Sequence, residues 1–525
     1  MNQKAYKNIG IATLIMMASI FLSRLMGAFR EMVIADLAGA NSAVDAYRVA
    51  FVLPEILNHA LASGFLSVTF IPIFAMYLTK DDEAGGWSIF STIMTVFGFL
   101  LLVLIVACMI MAPQIVPFLA PGRKDPEFFR LAIHMTRIVL PAQIFFFAGG
   151  LLMAVQFAKE RFFIPALAPL IYNLGIISGG LILGPRIGVI GFSWGALSGA
   201  FLGNFLIQLL GARKAGLQFR PRFDLRHPDL LRYMLLTLPL MLGLTMTFSM
   251  EIFSKFFGSF LPAGAISWLD YAKITMLMLV AFFGQAVGVA SYPYLSRLAA
   301  EQRLEEMNRM FNTILIYLTT LVIPASVLMW VLRHEILRVL FERGHFLPHD
   351  THMTGIALSG LLVGAVAFAA QTVVNRGFYA IQNTLLPAIY TTVAVIMSLP
   401  LYWFGLKIYG LLGVALAVSV SAIIQVAVLF SIWNRRSGNK QGTRVYVAFV
   451  KTVMAAFPLW APLWWFHRFL SARIETASFQ GSITVILLVS VLFCGMMALG
   501  GWIFKVEGIL YIWRRLRQRL LPDGK

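Results

Sequence analysis

Charged side chains are scarce in this chain of 525 residues: only 12% of the residues are Asp, Glu, Lys or Arg, and 59% are hydrophobic. Soluble globular domains carry roughly twice that fraction of charge. The composition therefore excludes an ordinary water-soluble globule. A mean hydropathy of +0.82 predicts an integral membrane protein instead.

The sequence also lacks the residues that common enzyme and metal sites require. The chain has only two cysteines, Cys108 and Cys494, and both stand in apolar runs, which excludes a disulfide framework and a cysteine-rich zinc site. A nucleotide-binding loop and the motifs HExxH, GxSxG and CxxC are missing, and the eight histidines are scattered. We therefore expect neither an enzyme nor a bound cofactor or metal.

The net charge of +19 has two interpretations, of which the membrane one is preferred. A basic chain can bind nucleic acid, but in a membrane protein Lys and Arg mark the loops that stay in the cytoplasm. Basic residues are concentrated in the termini and in the even-numbered loops between predicted spans. We expect no nucleic-acid partner, both termini in the cytoplasm, and a multi-pass protein of the bacterial inner membrane.

Apolar runs of about 20 residues predict the number of membrane spans. A cleaved signal peptide is the alternative for the first run, but Arg24, Arg30 and Glu31 interrupt it, so a retained span is preferred. The fold class is all-α, with fourteen transmembrane helices. They are predicted near residues 9–35, 44–78, 86–112, 127–157, 162–184, 187–211, 231–258, 264–296, 307–332, 352–381, 384–406, 409–434, 445–467 and 479–505.

An internal repeat divides these spans into two sets of six, with two helices added at the C-terminal end. Arg30, Asp45 and Arg48 return 225 residues later as Lys255, Asp270 and Lys273, and Pro165, Gly188 and Gly191 return 222 residues later as Pro387, Gly410 and Gly413. Because each set holds an even number of spans, the repeats are parallel, as in alternating-access transporters. The predicted domains are an N-terminal lobe (1–211), a cytoplasmic connector (212–230), a C-terminal lobe (231–434), helices 13 and 14 (445–505) and a basic cytoplasmic tail (506–525).

Charged residues inside the predicted spans indicate the site, because an unpaired charge in a bilayer costs several kcal/mol. If the first helices of both repeats line one cavity, its cationic residues form a positive centre that can bind phosphate. The candidates for this substrate-binding cavity are Arg24, Arg30, Asp45, Arg48, Lys255 and Lys273. Glu251 and Lys255 have i, i+4 spacing and are predicted to pair; self-neutralising pairs without a transport role are the alternative.

Several motifs in chain order resemble the MurJ/MviN family of lipid II flippases, within the MOP exporter superfamily. The first has the pattern S-R-x-x-G-x-x-R at residues 23–30. Others are Asp45-Ala46-Tyr47, residues 64–72, the segment from Arg161 to Pro169 with Asn173, the pair Ser267-Trp268, and residues 377–380. The sequence departs from the residues that are usual in this family at Asn58, His59, Ser63, Lys273-Ile274 and Asn383.

The resemblance implies two six-helix lobes arranged as a V, two extra helices that form a lipid-facing groove, and transport of an undecaprenyl-pyrophosphate-linked saccharide to the periplasm. It also implies that Arg24 and Arg30 are cavity arginines. Glu251 and Asn383 are predicted to take part in ion coupling, to Na⁺ or to the membrane potential. The expected partners are the lipid-linked saccharide and membrane lipids, and the protein is expected to be a monomer.

Three other functions remain open at this point. An exporter of another lipid-linked oligosaccharide would share the cationic centre. A multidrug or cation antiporter would share the architecture but would favour an acidic cavity. A membrane scaffold without transport would explain the basic tail, and it predicts that changes to the cavity residues have no effect.

Overall fold

A computed structural model describes residues 3–59, 65–245, 249–381, 383 and 385–503, and all of their regular secondary structure is helical. The chain divides into two compact units. Unit 1 comprises residues 1–267 and 344–346, and unit 2 comprises residues 268–343 and 347–525. The predicted span 231–258 thus falls in unit 1, and the predicted domain bounds remain a prediction. Ser63 and the basic tail lie outside the described residues.

Twelve helices form unit 1. They are α1 (Gln3–Ala38), α2 (Ser42–Ala50), α3 (Val52–Leu57), α4 (Phe65–Thr79), α5 (Glu83–Leu119), α6 (Pro126–Val139), α7 (Ala142–Ala158), α8 (Phe163–Ile187), α9 (Ile190–Gly199), α10 (Ile207–Lys214), α11 (Pro228–Thr245) and α12 (Ser249–Gly258), with a π-helical turn at Ala200–Leu206. Local sequence fixes several ends. Asn41 accepts hydrogen bonds from the backbone amides of Ala43 and Val44 and so caps α2.

Unit 2 contains the remaining helices, of which α13 starts at the boundary between the units. They are α13 (Ala265–Val280), α14 (Ala286–Ala300), α15 (Leu304–Val331), α16 (Arg333–Phe341), α17 (Pro348–Leu362), α18 (Ala365–Ala380), α19 (Leu385–Arg436), α20 (Thr443–Ser471) and α21 (Phe479–Ile503), with a π-helical turn at Ala281–Gln285. Within α19, Gly410 has φ 55° and ψ −124°, so the backbone breaks there. Phe311, Phe378 and Trp433 are fully buried or nearly so in the core of this unit.

Glycines bring α8 and α9 into close backbone contact. A Cβ atom at Gly179 would lie 2.5 Å from the Cα of Gly195, and one at Gly175 would lie 2.5 Å from the Cα of Gly199. Membrane helices associate through such small residues, because lipid offers no hydrophobic driving force between them. The close packing of α8 against α9 therefore explains why this stretch of sequence is so rich in glycine.

Nine helical stretches among the described residues are long and apolar enough to cross a membrane. Helices α17 and α18, which meet at a bend of 48°, raise the number to ten if they form one span. The chain is thus an all-helical, multi-pass membrane protein, as the sequence predicted. The predicted count of fourteen and the repeat are not confirmed.

Candidate functional site

Two arginines share one buried carboxylate where α1, α2 and α8 meet. Glu31 Oε1 accepts from Arg30 Nε at 3.0 Å and from Arg30 Nη2 at 2.6 Å. Glu31 Oε2 accepts from Arg48 Nη2 at 2.5 Å. The Glu31 side chain is 2% exposed, against 26% for Arg30 and 9% for Arg48. Two guanidinium groups from different helices thus contact one carboxylate.

Asn173 on α8 holds Arg30 from the other side. Its Oδ1 accepts from Arg30 Nη1 at 3.0 Å, and its Nδ2 donates to the carbonyl of Pro169 at 2.9 Å. The second bond fixes the orientation of the amide, so its oxygen is directed at the guanidinium. The structure thus brings together the predicted residues Arg30 and Arg48. We name the set Arg30, Glu31, Arg48 and Asn173 the arginine cluster.

Arg24 lies on the same helix as the cluster and its side chain is exposed. Seven residues separate it from Glu31, which corresponds to nearly two full turns, so both point to one face of α1. The separation along the helix axis is about 10 Å. Its place in a substrate cavity remains a prediction.

Asp45 is committed to a different network. Its Oδ1 accepts from the amide of Ser267 at 2.8 Å and from the Ser267 hydroxyl at 2.7 Å. Its Oδ2 accepts from Arg123 Nη2 at 2.5 Å and from the amide of Gly264 at 2.8 Å. Asp45 is fully buried, so in this conformation four donors occupy the carboxylate that was predicted to line the cavity.

The predicted pair on α12 is confirmed. Lys255 Nζ lies 3.3 Å from Glu251 Oε1, and the Lys255 side chain is 4% exposed while that of Glu251 is 27% exposed. The pairing explains how a lysine can be buried at this position. A role for Lys255 in substrate binding and for Glu251 in ion coupling remains a prediction.

Two predicted site residues lie in unit 2. Lys273 is partly buried on α13. Asn383 precedes α19. Its side-chain Oδ1 accepts from the backbone amide of Leu386 at 3.2 Å, and its backbone amide donates to the carbonyl of Phe378 at 2.9 Å. Asn383 therefore caps the start of α19. Its predicted part in ion coupling is a separate role, which these contacts do not test.

Unit 2 also contains an apolar cavity of about 480 Å³ between α15, the α17–α18 region and α20. Only two of its lining residues, Ser326 and Ser359, carry a hydroxyl group. The others that define its walls include Ile323, Val327, Trp330, Val363, Phe449 and Trp460. A cavity of this composition suits a hydrocarbon chain.

Ionisable groups surround the short helix α16, which follows the apolar helix α15. His467 Nε2 lies 3.0 Å from Glu335 Oε1, and the His334 and His352 rings stack at 5.6 Å. Burial raises the pKa of Glu335, but the hydrogen bond and charge of His467, a backbone hydrogen bond and the charge of His334 together outweigh burial and lower that pKa below its usual value. Burial and the neighbouring Arg333 lower the pKa of His334 to about 4.

Comparison with known proteins assigns the class and then the family. A multidrug transporter of the MATE family in its inward-facing conformation matches with a TM-score of 0.61 at 17% identity, covering 81% of this chain and 95% of the other. The structure titled "Lipid II flippase MurJ, inward closed conformation" matches with a TM-score of 0.75 at 23% identity, covering 92% of this chain and 98% of the other. The fold of this chain is therefore the fold that these two transporter structures share.

Sequence similarity identifies the family to which the chain belongs. The profile of the lipid II flippase MurJ family matches residues 34–479. The "Lipid II flippase MurJ" of Burkholderia cenocepacia is 29% identical over 453 residues, covering 85% of this chain and 87% of its own length. The "Probable lipid II flippase MurJ" of Vibrio cholerae is 28% identical over 429 residues, covering 79% and 81%. The chain belongs to the lipid II flippase MurJ family.

Two residues of the arginine cluster were missed as site residues from the sequence alone. Glu31 stands next to Arg30, and a carboxylate beside an arginine within an apolar run is the signal that could have identified it. Asn173 forms part of a motif, but it lies 143 positions from Arg30. Sequence spacing within one helix gives no information on a contact of that separation.

Proposed function

We propose that this protein is a flippase that moves lipid II, a polyprenyl-pyrophosphate-linked saccharide, from the cytoplasmic to the periplasmic leaflet of the bacterial inner membrane. Membership of the family supports the substrate class. The observation that supports the mechanism most directly is the arginine cluster, in which Arg30 and Arg48 outnumber the carboxylate between them. A surplus positive charge among buried groups attracts a pyrophosphate, and guanidinium groups can grip phosphate oxygens through paired hydrogen bonds.

The remaining spans of the fourteen-helix topology belong to this proposal. The nine apolar stretches become eleven spans if α19 is divided at Gly410 and the bent α17–α18 pair is counted as one span. Three more spans are α1, the α2–α4 region and the α11–α12 region. The broken backbone at Gly410 supports the first step. We further propose that both termini lie in the cytoplasm and that the protein acts as a monomer without enzymatic activity.

The two parallel repeats are the basis for alternating access in this proposal. Gly188 has φ 60° and ψ −142°, and Gly410, its counterpart 222 residues later, has φ 55° and ψ −124°. Both glycines interrupt the chain between consecutive apolar helices, in a region of φ/ψ space open only to glycine. This agreement at a repeat-related position supports a duplicated architecture.

Energy for transport comes, in this proposal, from the membrane potential or from Na⁺, with Glu251 and Asn383 as the coupling residues. Movement of a charge across the membrane is worth about 2.3 kcal/mol per 100 mV. Glu251 is the partly exposed member of its pair with Lys255, which supports access of a cation to its carboxylate.

The test of the function replaces Arg30 and Arg48 by Gln, singly and together, in cells whose own lipid II flippase is depleted. Lipid II that reaches the periplasmic leaflet is measured through an externally added enzyme that cleaves its headgroup. We expect the double variant to lower export at least tenfold, because the pyrophosphate loses both guanidinium groups.

The matched control is Arg130→Gln, an arginine on α6 whose side chain is 80% exposed, and its export should equal that of the wild type. Protein levels in the membrane are compared by immunoblot. Wild-type export in the double variant at equal protein level would remove the cluster from the mechanism. Accumulation of a different lipid-linked saccharide on depletion of this protein would contradict lipid II as the substrate.

A further inference from the structure

The chain between α10 and α11 alternates strictly between apolar and polar residues. From residue 217 to residue 226 the odd positions are Leu, Phe, Pro, Phe and Leu, and the even positions are Gln, Arg, Arg, Asp and Arg. Residues 217–224 form no helix. Residues 225 and 226 form a turn, in which the amide of Arg226 donates to Asp224 Oδ1 at 3.1 Å. We name residues 217–226 the basic strap.

Hydroxyl groups on α5 hold the basic strap in place. The amide of Arg220 donates to Ser91 Oγ at 3.2 Å, and the amide of Arg222 donates to Thr95 Oγ1 at 3.2 Å. Arg222 Nη1 also donates to Ser88 Oγ at 2.8 Å. These three hydroxyl residues lie three and four positions apart, on one face of the helix.

Aromatic contacts accompany the hydrogen bonds. The ring of Phe219 lies edge-on to Phe90 at 6.4 Å, and that of Phe223 lies edge-on to Phe99 at 6.0 Å. Phe223 nevertheless keeps 60% of its surface exposed, and Leu225 keeps 64%. The strap therefore presents large apolar side chains outward although it contacts the helix beside it.

The composition of α5 indicates the level of the bilayer at which the strap lies. The helix has 37 residues and is about 55 Å long, whereas a span needs about 20 residues. From Phe99 to Pro113 its exposed residues are apolar, including Leu100, Val103 and Val106. The hydroxyl residues that hold the strap all precede Phe99, so the strap ends where the apolar surface begins.

A backbone that forms no helix cannot face hydrocarbon, because its amides and carbonyls would lack hydrogen-bond partners. Exposed Phe223 and Leu225 nevertheless favour burial in an apolar phase. Both requirements are met at the boundary between headgroups and acyl chains, where apolar side chains insert and the backbone stays hydrated. The geometry thus places the strap at the membrane interface.

Charge identifies the lipid class that suits this position. The segment from Gly211 to Arg232 contains six basic and two acidic residues. Arg220, Arg222 and Arg226 are all exposed, and only Arg222 pairs with an acid in the strap, its Nη2 lying 3.2 Å from Asp224 Oδ2. Guanidinium groups bind phosphate oxygens, and basic residues near a span are attracted to anionic lipid.

We propose that the basic strap is a binding site for the headgroup of an anionic phospholipid, with Arg220 and Arg226 on its phosphate and with Phe223 and Leu225 inserted among its acyl chains. The site lies in unit 1, apart from the arginine cluster, and does not depend on the proposed transport substrate.

The test is a competition measured by native mass spectrometry on the full-length protein in detergent. Equimolar dioleoyl-phosphatidylglycerol and dioleoyl-phosphatidylcholine are added, and the lipids retained by the protein are counted. We expect the wild type to retain the anionic lipid at least threefold over the zwitterionic one. The variant Arg220→Gln, Arg222→Gln, Arg226→Gln should lose that preference.

A second triple variant, Arg435→Gln, Arg436→Gln, Arg444→Gln, removes the same charge from exposed arginines of unit 2 and should keep the preference. Equal losses in the two triple variants would show general surface electrostatics and overturn the site. An undiminished preference for the anionic lipid in the variant Arg220→Gln, Arg222→Gln, Arg226→Gln would also overturn the site.

Two further measurements separate lipid binding from phosphate binding. Phe223→Ser combined with Leu225→Ser keeps every arginine, and we expect it to lower retention of the anionic lipid by at least half. The soluble headgroup glycerophosphoglycerol, added in excess, should displace little lipid from the wild type. Full displacement by this soluble compound, or full retention in the serine variant, would contradict a membrane-inserted site.

Discussion

Glu31 is the residue on which the geometry of the arginine cluster depends. Each of its carboxylate oxygens accepts from a different arginine, and the side chain is almost entirely buried. Its two partners come from different helices, since Arg30 is on α1 and Arg48 is on α2. The single carboxylate thus holds two cations at a fixed separation, and the proposed binding of a pyrophosphate depends on this arrangement.

We predict that Glu31→Gln destabilises the protein and impairs export together. Removal of one partner of a buried ion pair typically costs about 3–5 kcal/mol, because the other charge stays buried without compensation. Here both guanidinium groups lose their counter-ion. The measurement is thermal unfolding of the purified protein in detergent, with export assayed in parallel.

Glu127→Gln serves as the control, because this α6 glutamate has a side chain that is 71% exposed and only a loose pair with Arg130 at 3.9 Å. Surface ion pairs contribute at most about 1 kcal/mol. An unfolding temperature of Glu31→Gln equal to that of the control would show that the carboxylate is not needed for the cluster.

Sequence reasoning located part of this site and missed part of it, for a physical reason. Arg30 and Arg48 stood out because charge in an apolar run is costly, and the Glu251–Lys255 pair followed from spacing on one helix. The contacts from Asn173 to Arg30 and from Ser267 to Asp45 join residues 143 and 222 positions apart. Only the tertiary arrangement of the helices sets such contacts.

At the scale of single elements, the α8–α9 pair shows how glycine replaces hydrophobic packing. The two helices approach so closely that a methyl group at Gly179 would meet both the carbonyl oxygen of Gly191 and the Cα of Gly195 at 2.5 Å. The backbone itself is the obstacle. A neighbouring side chain could rotate away from an added methyl group, but a helix backbone cannot.

We predict that Gly179→Ala lowers stability by about 1–3 kcal/mol, the usual cost of overpacking. Gly495→Ala in the apolar helix α21 is the matched control, because a Cβ atom there meets nothing within 4 Å. That change should be neutral or stabilising by about 0.5–1 kcal/mol, since alanine is the better helix former. The two variants are compared by thermal unfolding in one detergent, and effects of the same sign and size would contradict the packing argument.

The all-helical, membrane-spanning character of the whole molecule could be predicted from composition alone, because hydropathy reports the solvent that surrounds a chain. The number of spans could not be obtained as securely. The sequence divides the chain between residues 406 and 409, next to the backbone break at Gly410. It also predicts one span from 44 to 78, whereas that stretch begins as the two short helices α2 and α3. Hydropathy does not report a break of that second kind, which depends on backbone dihedral angles.

The duplicated backbone break gives a prediction at the level of the whole chain. Gly188→Ala and Gly410→Ala both force a side chain into a φ/ψ region that L residues avoid, which costs about 1–3 kcal/mol at each position. If the halves are repeats, the two variants should lower the unfolding temperature by similar amounts. The double variant should show the sum of both losses, because distant sites act independently.

The unfolding temperatures of these variants are compared with that of Gly438→Ala. This glycine also has a positive φ of 64°, but it lies in the turn after α19 rather than between two apolar runs. A loss confined to one of the two repeat-related positions would argue against equivalent architecture in the two halves.

If the lipid tail of the proposed substrate enters the apolar cavity of unit 2, the cavity limits which tails the protein can distinguish. At about 480 Å³ it has the size of a pocket for a drug-like molecule, and its walls offer almost no hydrogen-bond partners. A long polyprenyl chain that entered it would place only a few isoprene units inside and leave the rest among the surrounding lipids. Shortened prenyl analogues that still fill the cavity should therefore be accepted as readily as the full-length chain.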